Sequence, residues 1–237
     1  MEFQGEKEVW QLVWDRPPEE VCGPHDMIGA ISCPCSGLSY GEFGTLRLIR
    51  KRGNVQIDSL DLRPLFGQFD YPDANRVEGT AYLQRWPTLE GDFDRERRGD
   101  SALVDEIEHR QPVNLMQLAD YDRDGRATEF LMQVGTLPCG NTQFAALGVS
   151  PLNPRLHALT SVGKPGKPLM MPRDAWEALL RPGSPATVTT LTCGDHGSDV
   201  QEELVVSANH GEIQVRQRVY ACTPDGDKGR LRSDTSF

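Results

Sequence analysis

The sequence predicts a mainly β fold, propeller-like or sandwich-like, carrying two short helices. Short runs alternate apolar and polar side chains, Gly, Asn and Pro turn signals separate them, and only two stretches place apolar residues at helical spacing. Hydrophobic residues make up 38 % and charged residues 25 %, a globular rather than a disordered balance. With 237 residues the chain can bury a core as one β-rich domain spanning 1–237. A Gly/Pro connector at 161–173 is the one candidate sub-boundary.

Taken in order, residues 8–14 form an apolar-rich strand that Pro17-Pro18 stops. A loop containing Gly23, Pro24, Pro34 and Gly37 follows. Leu46, Leu48, Val55 and Ile57 alternate with polar residues around Arg52-Gly53-Asn54, the pattern of a hairpin with one half-buried face. Residues 80–86 read as a further strand. The first helix covers 101–109, with Leu103, Val104 and Ile107 on one face, Asp100 or Ser101 available as the cap, and Pro112 as the stop. The second covers 171–180, with Pro172 near its start and Pro182-Gly183 past its end. Residues 186–193 alternate as a strand, and runs at 204–207 and 213–220 flank the turn Asn209-His210-Gly211. No strict internal repeat is evident.

The formal net charge is −10 and the isoelectric point about 5.0. Such a surface repels phosphate backbones, and the one basic run, residues 47–52, reads as the solvent face of the hairpin. No nucleic-acid partner is expected, whereas divalent cations suit the charge. No stretch approaches the ~18 apolar residues that a membrane-spanning helix needs. The first residues are polar and show no leader, so the reading rests on the cysteines. Cys22, Cys33, Cys35, Cys139, Cys193 and Cys222 are even in number and fit three disulfides, with Cys193 and Cys222 expected to pair because each ends a predicted strand. A zinc site at Cys22 and Cys33-Pro34-Cys35 lacks the Cys-x2-Cys knuckle. The expectation is a mature secreted or periplasmic protein; a cytosolic protein with six free thiols is the alternative.

The strongest chemical signal is Asp120-x-Asp122-x-Asp124-Gly125. Carboxylates at alternate positions of a curled backbone share a centre, and the glycine permits the sharp bend. Oxygen-only anionic donors suit a hard cation, Ca²⁺, which also offsets the mutual repulsion of the aspartates. The seventh position, Arg126, would contribute its backbone carbonyl. An EF-hand is not expected. Position twelve is Leu131, the apolar run 130–134 bounded by Gly135 is strand-like, and Pro112 crowds any entering helix.

Residues 118–134, an apolar run, the Asp-x-Asp-x-Asp-Gly core, an acidic residue and a second apolar run, resemble one FG-GAP/VCBS repeat of the integrin-like β-propellers. The resemblance implies a Ca²⁺ loop bridging two strands of a blade, with Asp120, Asp122 and Asp124 as side-chain ligands and Arg126 as a carbonyl ligand. The family's acidic ninth position is Thr128 here, and Glu129 follows one later, so either that ligand is lost or a bulge brings Glu129 to the ion. The resemblance covers about 17 residues and defines a loop, not a fold.

Three other acidic segments, Asp195 to Glu203, Asp92 to Glu96 and Asp70 to Glu78, resemble degenerate copies but read as polar loops. His196, near Asp195 and Asp199, reads as a surface-turn histidine. No His-Glu-x2-His, Gly-x-Ser-x-Gly or phosphate-loop motif occurs. Asp61, Glu78, Glu90 and Glu129 cannot be sorted into a catalytic pair, and catalytic residues stay unassigned. Trp10, Trp14, Trp86 and Trp176 read as packing residues rather than a sugar platform. The functional expectation is a calcium-stabilised binding or interaction module for a protein or carbohydrate partner. A glycosidase- or esterase-like hydrolase with an unmarked site is the alternative.

Overall fold

The computed structural model describes residues 2–3, 6–21, 41–66, 79–87, 89, 91–136, 142–183 and 185–237. The chain divides into two compact units. The first comprises Met1–Met116 and Met132–Phe144, the second Gln117–Leu131 and Ala145–Phe237.

In the first unit, β1 (Glu2–Phe3), β2 (Glu6–Trp14), β5 (Leu46–Arg52) and β6 (Val55–Asp61) form an antiparallel sheet in the order β1-β2-β5-β6. Between β2 and β5 in the chain lie β3 (Glu19–Val21) and β4 (Gly41–Gly44), which join β7 (Ala81–Gln84) in a second antiparallel sheet. Two helices follow, α1 (Asp92–Arg97) and α2 (Leu103–Glu108). Leu46 and Leu48 are fully buried because alternate residues of β5 face inward, and Leu62, just past β6, is buried as well. Leu103 and Ile107, one helical turn apart on α2, pack with Trp86. The N-cap position of α2 is Ala102, without a side-chain cap, rather than Asp100 or Ser101; Asp100 Oδ1 accepts the Ala102 N–H at 3.1 Å in the turn before the helix.

β8 (Glu129–Thr136) pairs with β9 (Thr142–Gly148), which also pairs with β10 (His157–Ala158) and β13 (Met170–Met171). The second unit's larger sheet runs β12 (Lys164–Pro168), β11 (Thr160–Ser161), β16 (Glu212–Cys222), β15 (Val200–Asn209), β14 (Ala186–Leu191), with β17 (Lys228–Ser236) on β16. Helix α3 (Arg173–Leu180) packs on β14 and β15 through Ala175, Trp176, Ala178 and Leu179. Trp176 is wholly buried, as a core residue should be.

The class is therefore mainly β, with strands taking 49 % and helices 13 % of the described residues. Several local expectations change. Three helices replace two among the described residues, because residues 92–96, expected as a polar loop, form most of α1. Asp92 in its first turn is held by both Arg110 guanidinium nitrogens, at 2.6 and 2.9 Å. In the β5–β6 hairpin Val55 and Ile57 are 66 % and 41 % exposed. A bulge between Arg50 and Lys51 leaves Ile57 as the extra residue, and such a slip turns a side chain to the other face. The basic run is not all solvent-facing. Arg50 is buried against Glu8. Residues 161–173, read as an aperiodic connector, instead contain β12, β13 and part of β11, with Gly166 at φ +81°. β17, almost wholly exposed, had no sequence signal.

Cys193 and Cys222 form a disulfide. Cys193 follows β14 and Cys222 ends β16, two strands that β15 separates. The bridge therefore joins strands that no ladder connects. Cys22, Cys33, Cys35 and Cys139 lie outside the described residues. For a separation of 29 residues, loop-closure entropy assigns the bridge roughly 3–4 kcal/mol. Replacing both cysteines by serine is expected to lower unfolding free energy by about that amount, read from urea denaturation under non-reducing conditions.

Candidate metal centre

The loop is closed by an antiparallel bridge between Ala119 and Glu129, whose backbone groups exchange hydrogen bonds of 2.8 and 3.2 Å. Inside it each aspartate accepts one backbone N–H. Asp120 Oδ2 takes that of Gly125 at 3.1 Å, Asp122 Oδ1 that of Asp124 at 3.1 Å, and Asp124 Oδ1 that of Arg126 at 2.8 Å. These side-chain turns curl the backbone around the carboxylates. Gly125 sits at φ +94°, which glycine alone adopts without steric penalty.

Glu129 is the first residue of β8 and completely buried. Its Oε2 accepts the Tyr121 N–H at 3.0 Å, and the Thr128 hydroxyl lies 2.5 Å from its Oε1 and 2.8 Å from the Val149 carbonyl. One oxygen each from Asp120, Asp122 and Glu129 lies within 4.8 Å of the others. Asp124 is outside that set of three, yet its Oδ2 and Asp120 Oδ1 are buried with no hydrogen-bond donor among the described residues. A buried carboxylate oxygen without a donor is costly.

The electrostatics agree. Burial, followed by the neighbouring Asp122, pushes Glu129 up to about 8 despite the Thr128 and Tyr121 donors. Burial and the Asp124 charge raise Asp122 to about 6. Burial raises Asp124 as well, and the Asp120 charge adds to it. Burial and crowding thus disfavour the charged forms of these carboxyls, a penalty that a bound cation would relieve.

The surroundings hold the loop firmly. The Gly211 N–H donates to the Asp122 carbonyl at 2.9 Å and the His210 N–H to the Arg123 carbonyl at 3.2 Å. The Arg123 side chain donates to the Leu180 carbonyl, the last residue of α3, at 3.1 Å. Tyr121 meets Trp176 edge to face, ring centroids 5.8 Å apart.

The structure thus gathers Asp120, Asp122 and Glu129, with Asp124 beside them. Glu129 belongs to the cluster although Thr128 holds the ninth loop position; Glu129 opens β8, and the Thr128 hydroxyl donates to the Val149 carbonyl. The Arg126 carbonyl accepts the Thr128 N–H at 3.0 Å. Sequence reasoning missed Thr128 as a support, Gly148 behind Glu129, and the Asn209–Gly211 turn as the loop's neighbour. Only the last had a sequence signal, as a turn, and nothing placed it beside the loop.

The other candidate sites are ion-paired or exposed. Asp199 pairs with Arg232, and buried Glu203 with Lys228. His196 is exposed beside Asp195, and Asp61 pairs with Arg63. Residues 70–78 and Glu90 lie outside the described residues. No helix among the described residues is long and apolar enough to cross a membrane. No protein-family model matches the chain, and no curated protein or solved structure matches it.

Proposed function

We propose that the loop from Asp120 to Glu129 binds one Ca²⁺ as a structural ion. The chain would then be a secreted or periplasmic binding or interaction module. The observation that carries the reading is the pair of buried, donor-less oxygens on Asp120 and Asp124, within a loop that also buries Asp122 and Glu129. Asp120, Asp122 and Glu129, with Asp124 beside them and the Arg126 carbonyl as a further candidate, offer oxygen donors alone, which suits a hard cation rather than a soft metal. The likeness of residues 118–134 to an FG-GAP/VCBS loop supports calcium as the ion, and the Cys193–Cys222 disulfide supports an oxidising compartment.

Without the bidentate glutamate of an EF-hand, affinity is expected to be micromolar or weaker. Calcium at about 100 times its dissociation constant then stabilises the fold by about 2.7 kcal/mol. A chain of this size should melt roughly 5–10 °C higher in calcium than in chelator. The difference should vanish in Asp122→Ala. Terbium offers a second readout, since Tyr121 and Trp176 beside the site should sensitise its emission. Equal wild-type melts in calcium and chelator, with no terbium emission, would remove the reading.

A further inference from the structure

The calcium loop has a neighbour in the second unit that contributes no ligand, the turn joining β15 to β16. Two backbone bonds join them, Gly211 N–H to Asp122 O and His210 N–H to Arg123 O. Both acceptors lie on residues in or between the carboxylate positions. The backbone here has little freedom to rearrange, since Arg123 and His210 both hold positive φ, at 58° and 51°, and Gly211 is at 85°. Residues other than glycine keep such angles only where surrounding contacts over-determine them. The approach is close: a methyl group added to Gly211 would stand 3.8 Å from Asp122 Oδ2, 4.0 Å from the Asp124 Cβ and 3.6 Å from Leu152. From the same loop Arg123 reaches the end of α3 at the Leu180 carbonyl.

We infer that the loop is a calcium-dependent clasp that fastens the β15–β16 turn and the end of α3 within the second unit. This rests on the calcium reading of the loop. With the cation bound, the Asp122 and Asp124 side chains are fixed, so the carbonyls of Asp122 and Arg123 present a set pair of acceptors to the turn. With the cation removed, the clustered carboxylates repel, the backbone between them spreads, and the two amides lose their partners. Because the coupling is between two equilibria, it is reciprocal, and loosening the turn must weaken calcium binding by the same factor.

The test is amide hydrogen exchange on the full chain in calcium and in chelator, with calorimetric calcium titration of wild type and two variants. The His210 and Gly211 amides should exchange about tenfold more slowly in calcium, as for sites coupled at ordinary strength. The Gly226 amide, bonded to the Thr223 carbonyl in the β16–β17 turn, should not change. Gly211→Ala, which strains a residue at φ +85°, should bind calcium about five- to tenfold more weakly with every carboxylate intact. Gly226→Ala imposes the same kind of strain at φ +87° with open space around it, and should keep wild-type affinity. If Gly211→Ala does not fold, wild-type exchange decides alone. Calcium binding without a change at His210 and Gly211, or with unaltered affinity in Gly211→Ala, overturns the clasp and leaves the calcium site standing. No calcium binding at all overturns both.

Discussion

Arg50→Met is expected to destabilise the protein by about 3 kcal/mol at neutral pH, and adding Glu8→Leu to restore most of that loss. Glu8 on β2 and Arg50 on β5 lie diagonally across the ladder, since Trp10 is the residue opposite Arg50. Glu8 is wholly buried and Arg50 nearly so. The guanidinium donates to both Glu8 oxygens, at 2.6 and 2.7 Å, while Arg52 at 3.2 Å and the Trp10 ring N–H at 3.4 Å add weaker contacts. Removing the arginine takes the two shortest of these bonds from a buried carboxylate. Removing both partners leaves apolar side chains in an apolar setting, which is commonly neutral. Burial works to raise the Glu8 pKa, yet its Arg50, Arg52 and Trp10 donors outweigh it and hold the group below the usual carboxylate range. A group lowered on folding contributes stability above its unfolded pKa and loses it as pH falls through the folded value. In Arg50→Met the balance reverses toward burial and the Glu8 pKa rises above its usual value, so the gap between wild type and variant should begin to narrow as pH falls through that raised value and close further on acidification through the lowered wild-type value. Urea denaturation of the three proteins at neutral and acid pH checks this. A double variant less stable than Arg50→Met would contradict it.

That pair also marks where reading the sequence stops. The 47–52 run looks like a solvated basic face because each residue is judged by its neighbours. The charge that neutralises Arg50 sits 42 residues away. Features set by local chemistry were legible. Alternation at Leu46 and Leu48 identified β5, Asn209-His210-Gly211 identified the turn between β15 and β16, and strand ends placed Cys193 opposite Cys222. The three alternating aspartates with Gly125 needed no partner from afar, since their curl comes from side-chain bonds to amides two to five residues ahead. Illegible features depend on distant partners or lack a pattern. The acidic α1 has no apolar stripe to announce it, and its Asp92 is held by Arg110, 18 residues on. β17 is polar on both faces and exists because β16 offers it a ladder. Glu129 falls between these cases. Its carboxylate was visible as a candidate, but its arrival at the cluster depends on how β8 leaves the loop, which the pattern of residues does not encode.

Gly148→Ala is expected to cost about 3 kcal/mol and, where the loop holds calcium as proposed, to weaken that binding at least about tenfold, although no atom of Gly148 belongs to the carboxylate cluster. Gly148 ends β9 opposite His157 of β10, with its Cα facing the backbone where the loop passes into β8. A methyl group there would stand 2.4 Å from the Thr128 carbonyl oxygen, 2.8 Å from the Glu129 Cγ and 2.9 Å from the Glu129 Cα. Two of those atoms are backbone, so the strand itself must move, and no rotamer change relieves the contact. Movement at Glu129 displaces the carboxylate that must lie within 4.8 Å of Asp120 and Asp122, and disturbs the bond from the Tyr121 N–H. Gly125→Ala separates this effect from backbone strain alone. Gly125 is at φ +94° with nothing within 4 Å, so its alanine variant suffers only the conformational penalty of roughly 1–2 kcal/mol. Urea denaturation in chelator ranks the two variants without the ion, and calcium titration then reads the site. If Gly148→Ala matches wild type in both measurements, the tight approach of β9 to the loop is not what sets Glu129 against the two aspartates. If it loses both while Gly125→Ala loses less, the geometry of the cluster is imposed from the sheet behind it as much as from the aspartate loop itself.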